Sequence, residues 1–97
     1  MCQLDRLQRL KVKINQIAKK HNADKVYVFG SCARKEETPD SDIDLLADFN
    51  ANASLFVQIK MQLDLSDIFH CKVDVLPLSS LDDPFFGPNV KKDMIAL

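Results

Sequence analysis

The chain is sparing with the residues that most often mark special chemistry. Its 97 residues include two glycines, three cysteines and two histidines. Cys2, Cys32 and Cys71 are odd in number, widely spaced and form no C-x-x-C pair. His21 and His70 complete no zinc-ligand spacing. A disulfide framework and a structural zinc site are therefore both excluded, and the thiols read as reduced. No apolar run approaches the roughly 20 residues that a membrane helix requires. Met1 leads straight into an amphipathic, charged segment, so no secretory leader is expected and the reading is cytoplasmic. Thirteen basic and 14 acidic residues leave a net charge of −1. No global field draws such a chain to nucleic acid or to an anionic membrane, and composition gives neither any support.

What is present is an ordinary globular balance, 46% apolar and 28% charged. A chain of this length buries one core and has no room for a second lobe, so residues 1–97 read as a single domain. Leu4, Leu7, Leu10, Ile14, Ile17 and Ala18 recur at helical spacing and predict one helix over 3–21, stopping at Asn22. Val26 to Phe29 is a continuous apolar run, the pattern of a strand buried on both faces, and Gly30 ends it. Ser31 to Lys35 reads as a short helical turn. Ile43 to Phe49 alternates, with Ile43, Leu45, Ala47 and Phe49 on one face and Asp42, Asp44, Leu46 and Asp48 on the other. A helix is expected from Ser54 to Phe69, with Leu55, Phe56, Ile59, Leu63, Ile68 and Phe69 as its apolar face. Lys72 to Leu76 predicts a third strand, Ser79 to Pro88 a loop, and Asn89 to Leu97 a final helical turn or two. The order α-β-α-β-α-β-α implies an α+β fold, a small mixed β-sheet flanked by helices. Strand direction is not settled by these patterns.

Aspartate fits a half-buried pleated surface poorly, yet Asp42 and Asp44 stand at the entry of the second strand. At two-residue spacing their Cα atoms lie about 6.5–7 Å apart on one face. They repel each other unless a cation or hydrogen-bond donors intervene. Asp74 repeats the arrangement between Val73 and Val75. If the two strands are neighbours, three carboxylates converge, and clustered oxygen ligands suit Mg²⁺ completed by phosphate oxygens. Alone, a D-x-D reads better as a solvated acidic loop. A calcium loop counted from Asp40 fails, because it needs Gly and Glu where Leu45 and Ala51 stand.

Gly30-Ser31 follows the buried strand. A turn there aims backbone N–H groups outward as an anion site, glycine permits close approach, and the Ser31 hydroxyl adds a donor. A Walker-type loop is excluded, since Gly30-Ser31-Cys32-Ala33-Arg34-Lys35 lacks a second glycine. A lone glycine-serine turn is weak. A phosphate cradle joined by one loop to a metal-binding carboxylate pair is the substance of a phosphoryl or nucleotidyl transfer site.

Gly30-Ser31, ten residues, then Asp42-Ile43-Asp44 resembles the G-S-x10-D-x-D signature of the DNA polymerase β-like nucleotidyltransferases. The local forms Phe29-Gly30-Ser31-Cys32-Ala33-Arg34 and Ser41-Asp42-Ile43-Asp44-Leu45 are similar to the minimal nucleotidyltransferase (MNT) family, whose third Asp on a later strand Asp74 matches. Two departures stand out. Lys35 occupies the place where the family usually has glycine, and Asp93 stands where relatives often carry an Arg-Glu pair.

The resemblance implies that Gly30 and Ser31 hold the triphosphate of ATP or another NTP, with Arg34 pairing to phosphate. It implies that Asp42, Asp44 and Asp74 bind Mg²⁺, Asp74 serving a second metal or acting as base. It further implies an antitoxin that transfers AMP to a hydroxyl of a HEPN-type helical toxin. Two other activities fit: an antitoxin that blocks its toxin sterically, without catalysis, and nucleotidyl transfer to a small molecule with a helical partner. Homo- or hetero-oligomers are compatible with all three. Phe85-Phe86 in a Pro/Gly segment cannot both point inward if extended, so one ring is expected to meet a partner.

Overall fold

The computed structural model describes residues 3–30, 42–50 and 54–97. Ser31, Arg34 and Lys35, and the helical turn expected there, lie outside the described residues. The helical periodicity at the start is interrupted once. Helix α1 (Gln3–Arg9) and helix α2 (Lys11–Lys20) meet at Leu10, whose φ of −99° and ψ of 11° leave the helical well. The expected single helix is thus two. The backbone ladder still crosses the break, with Leu10 N–H donating to the Arg6 carbonyl at 3.0 Å and Ile14 N–H to the Leu10 carbonyl at 2.9 Å. Asn22 turns the chain in the left-handed region, φ 65°, a conformation asparagine tolerates better than most residues.

Strand β1 (Ala23–Phe29) then runs through the predicted apolar segment. It pairs antiparallel with β2 (Ile43–Phe49), which pairs in parallel with β3 (Val73–Pro77). Between β2 and β3 lies α3 (Leu55–Phe69), started by Ser54, whose hydroxyl accepts the Val57 N–H at 3.4 Å. The predicted loop contains a 3-10 turn, Leu78–Asp82, and α4 (Phe86–Asp93) follows it. The chain closes in a short strand, β4 (Ile95–Ala96), antiparallel to β1, where the periodicity predicts helix. The sheet order is β3-β2-β1-β4.

The sheet's two faces differ. Ile43, Leu45, Val73 and Val75 turn toward the helix layer and pack with Leu7, Ile14, Met61, Leu65 and Phe69, all essentially without solvent exposure. Leu46 and Phe29 turn the other way and pack with Val90 of α4. Arg6 ties α1 to the end of α3, donating to the Phe69 carbonyl at 3.2 Å with its guanidinium 5.3 Å from the Phe69 ring centroid.

A further expectation is overturned in part. Of the helix face read as core, Leu55, Phe56, Ile59 and Leu63 lie on the solvent face of α3, whereas Phe69 is buried and Ile68 packs against the core; the rest of the buried side is Met61 and Leu65. The cause is polar. Gln58 and Gln62 point inward because β3 is a sheet edge with unpaired backbone groups. The Gln62 side-chain oxygen accepts the Val75 N–H at 2.9 Å, and Gln58 Nε2 donates to the Val75 carbonyl at 2.9 Å. The Ser66 hydroxyl accepts the Val73 N–H at 3.2 Å. Their hydrogen bonds fix the rotation of the helix.

Candidate active site

The alternation of β2 and β3 sends Asp44 and Asp74 to the same side of the sheet, away from the core that surrounds Ile43, Leu45, Val73 and Val75. The parallel register makes Asp44 the direct partner of Asp74. The antiparallel register makes Asp44 also the partner of Phe29, the residue before Gly30. Three chain segments far apart in sequence thus meet at one end of the sheet.

Gly30 adopts φ +74°, and a Cβ placed on it would lie 2.8 Å from Asp44 Oδ2. Glycine is needed here twice, for the left-handed backbone and for the open space over a carboxylate oxygen. The turn and the acid touch the same volume, so the linkage read in the sequence is a physical one for Gly30.

Asp44 is held in a strained electrostatic position. Burial pushes its carboxyl pKa above the ordinary value, and repulsion from Asp74 and then Asp42 pushes it further, with Lys72 opposing. Lys72, which the motif does not include, places its Nζ 3.8 Å from Asp42 Oδ2. The position follows from the register: Ile43 N–H donates to the Lys72 carbonyl at 3.0 Å, so the residues preceding each strand lie side by side. A cation two residues before an aspartate on a neighbouring strand is a legible signal only once that pairing is known.

The three carboxylates share a face but are not drawn into a closed ligand shell; among the described residues no three acidic, thiol or imidazole groups are gathered tightly enough to grip an ion. The donor set nonetheless fits a hard divalent cation. It is all oxygen, it is mutually repulsive, and the absent Cβ at Gly30 leaves Asp44 Oδ2 uncovered. Mg²⁺ in such sites is usually shared between one or two carboxylates and substrate phosphates, so a shell completed by the substrate is consistent with an open arrangement.

Beside the aliphatic Leu46 and Val90, this face carries aromatic rings. Phe86 stands edge-on to Phe29, ring centroids 5.6 Å apart and planes at 88°. Phe85 is 85% exposed, so of the two adjacent rings one packs and one faces solvent. Their backbone is fixed by Asp83, whose carboxylate accepts the Phe86 and Phe85 N–H groups at 2.9 and 2.8 Å. Those bonds hold the Asp83 pKa below the usual carboxylate range. No helix among the described residues is long and apolar enough to cross a membrane.

The chain matches the family model described as polymerase beta, nucleotidyltransferase, over residues 12–96. A chain of Methanocaldococcus jannaschii named as a protein adenylyltransferase is 34% identical over 80 residues, 82% of each chain. A solved minimal nucleotidyltransferase superposes with a TM-score of 0.84 at 31% identity, covering 100% of this chain and 97% of its own. The fold is also that of an MNT antitoxin solved in complex with a tri-AMPylated Shewanella oneidensis HEPN toxin. That likeness has a TM-score of 0.68 at 18% identity and covers 92% of this chain and 69% of the other. With the register of Asp44 and Asp74, the glycine turn above them and a family match across most of its length, the chain belongs to the polymerase β-type nucleotidyltransferases.

Proposed function

We propose that the chain transfers an AMP group from Mg-ATP to a hydroxyl of a partner protein, a HEPN-type helical toxin, and so acts as its antitoxin. The observation that carries the reading is the convergence of Gly30, Asp44 and Asp74 at one end of the sheet, with Asp42 two residues before Asp44. The names of similar chains give the adenylyl group and the protein acceptor.

In this reading Asp42, Asp44 and Asp74 hold the divalent ion. Gly30 and Ser31 receive the triphosphate through backbone N–H groups and the serine hydroxyl, and Arg34 pairs with a phosphate oxygen. Asp74, at the sheet edge, accepts the proton of the acceptor hydroxyl; the hydroxyl oxygen bonds to the α-phosphorus and pyrophosphate departs. The divalent ion, when bound, neutralises charge on the attacking and leaving oxygens.

The test is transfer of label from α-labelled ATP to a HEPN-type helical protein that forms a complex with this one, with Mg²⁺ present. Label on the partner, lost in Asp44→Asn, supports the reading; an unlabelled partner that still forms a complex sinks it. A second reading, inhibition by binding alone, is favoured by the exposed Phe85 ring, a large apolar group open to a partner. Neutralisation of the toxin that survives Asp42→Ala combined with Asp44→Ala would establish it over the first.

A further inference from the structure

Lys72 lies outside the motif, yet the sheet fixes its place. Val73 and Val75 face the core, so alternation turns Lys72 to the same side as Asp74. The bond from the Ile43 N–H to the Lys72 carbonyl, 3.0 Å, holds its backbone beside Asp42. Its Nζ then stands 3.8 Å from Asp42 Oδ2, and its charge also acts on Asp44. Among the described residues, Lys72 is the cation set against this group of acids.

A divalent ion held by Asp42 calls on the carboxylate that Lys72 already pairs with. Two cations at one carboxylate repel each other, so Lys72 opposes a bare ion. The sign reverses for an ion carried on a triphosphate. Mg-ATP is an anion overall, and it meets Asp42, Asp44 and Asp74, which already repel one another at Asp44. An ammonium beside them offsets that repulsion and draws the complex in.

The side chain suits both parts. Lysine carries a compact point charge with three donors on a flexible four-carbon stem. It binds phosphate as a point charge, without the fixed fork of arginine. Here the side chain is 67% exposed, so it leaves Asp42 for a phosphate oxygen without disturbing the core.

We propose that Lys72 decides what the carboxylate site accepts: it turns away a bare divalent ion and admits the ion together with a polyphosphate, passing from Asp42 to a phosphate oxygen as the complex enters. This role rests on the metal–nucleotide reading of the site. It gives the choice between metal and metal–nucleotide complex to a residue outside the G-S-x10-D-x-D pattern. An exposed charge of this kind shifts a binding equilibrium by about two- to fivefold.

Two titrations of the full chain test it, at mildly alkaline pH where carboxylates are ordinarily ionised. Mn²⁺ alone, followed by loss of the free-ion EPR signal, should bind Lys72→Met about two- to fivefold more tightly than the wild type. Mg²⁺ with the β,γ-imido analogue of ATP, followed by calorimetry, should bind the same variant about two- to fivefold more weakly. Lys72→Gln, also uncharged, should repeat both shifts, and Lys72→Arg, which keeps the charge, should stay near the wild type. Both shifts should shrink at about 0.5 M salt. A misfolded variant loses affinity in both titrations, so opposite signs mark the charge itself. A Mn²⁺ affinity not raised, or a nucleotide affinity not lowered, in both uncharged variants overturns the role of Lys72 while the wild type still binds the metal–nucleotide complex. A wild type that binds neither probe overturns it together with the reading of the site.

Discussion

Asp44 and Asp74 are register partners on adjacent parallel strands, their side chains turned to the same face with Asp42 nearby. A folded chain keeps such a set only at a cost, and the cost is useful where a cation is to be bound. Asp44→Asn and Asp74→Asn are each expected to lower nucleotidyl transfer at least about a hundredfold. Neither should lower the metal-free thermal midpoint, because each removes repulsion. Transfer assays beside thermal melts in chelator check both halves.

The same repulsion fixes a pH dependence. The folded-state pKa of Asp44 lies above its ordinary 3.8. As pH rises from 3.8 through the raised value, the folded chain retains a proton that the unfolded chain has lost. Stability attributable to Asp44 therefore falls across that window and is lowest above it. Denaturant melts at several pH values should show Asp44→Asn gaining on the wild type as pH rises, by about 1 kcal/mol or less after solvent screening.

Lys72 works against that shift. Lys72→Met should raise the Asp44 pKa further, and the difference between variant and wild type should shrink in high salt. Carboxyl titration followed by NMR at low and high ionic strength reads the effect directly; an unmoved Asp44 would contradict it.

Gly30→Ala meets two obstacles, a left-handed backbone and an atom 2.8 Å from Asp44 Oδ2. The backbone alone costs about 1–2 kcal/mol. The expected result is a lower unfolding midpoint together with weakened nucleotide binding, measured by calorimetry, whereas a purely structural glycine would lose only the first.

Gln62→Leu keeps the size of the side chain but abandons the Val75 N–H, which is buried. An unsatisfied buried donor costs about 1–3 kcal/mol. Because Val75 adjoins Asp74, slowed transfer should accompany the loss, and hydrogen exchange at Val75 should quicken.

The parts of this fold that were legible in the sequence were those set by period. The alternation at Ile43–Phe49 placed Asp42 and Asp44 opposite the core, and Val73 and Val75 did the same for Asp74. What period could not give was the choice between two apolar stripes on α3. Leu55, Ile59 and Leu63 look as much like core as Met61 and Leu65, and the inward glutamines look like surface until the edge of β3 is known to need them. Strand direction had the same character, and so did β4, two residues long and made by pairing with β1 rather than by any pattern of its own. Lys72 acquired meaning only from the register that sets it beside Asp42.

The side-chain bonds from Ser66, Gln62 and Gln58 to β3 have an effect on assembly. They occupy the outward N–H groups of Val73 and Val75 and the Val75 carbonyl, the groups an added strand would need. That border of the sheet is closed to β-augmentation, so a partner there must bind by side-chain contact, and the strand bearing Asp74 is shielded from edge-to-edge aggregation.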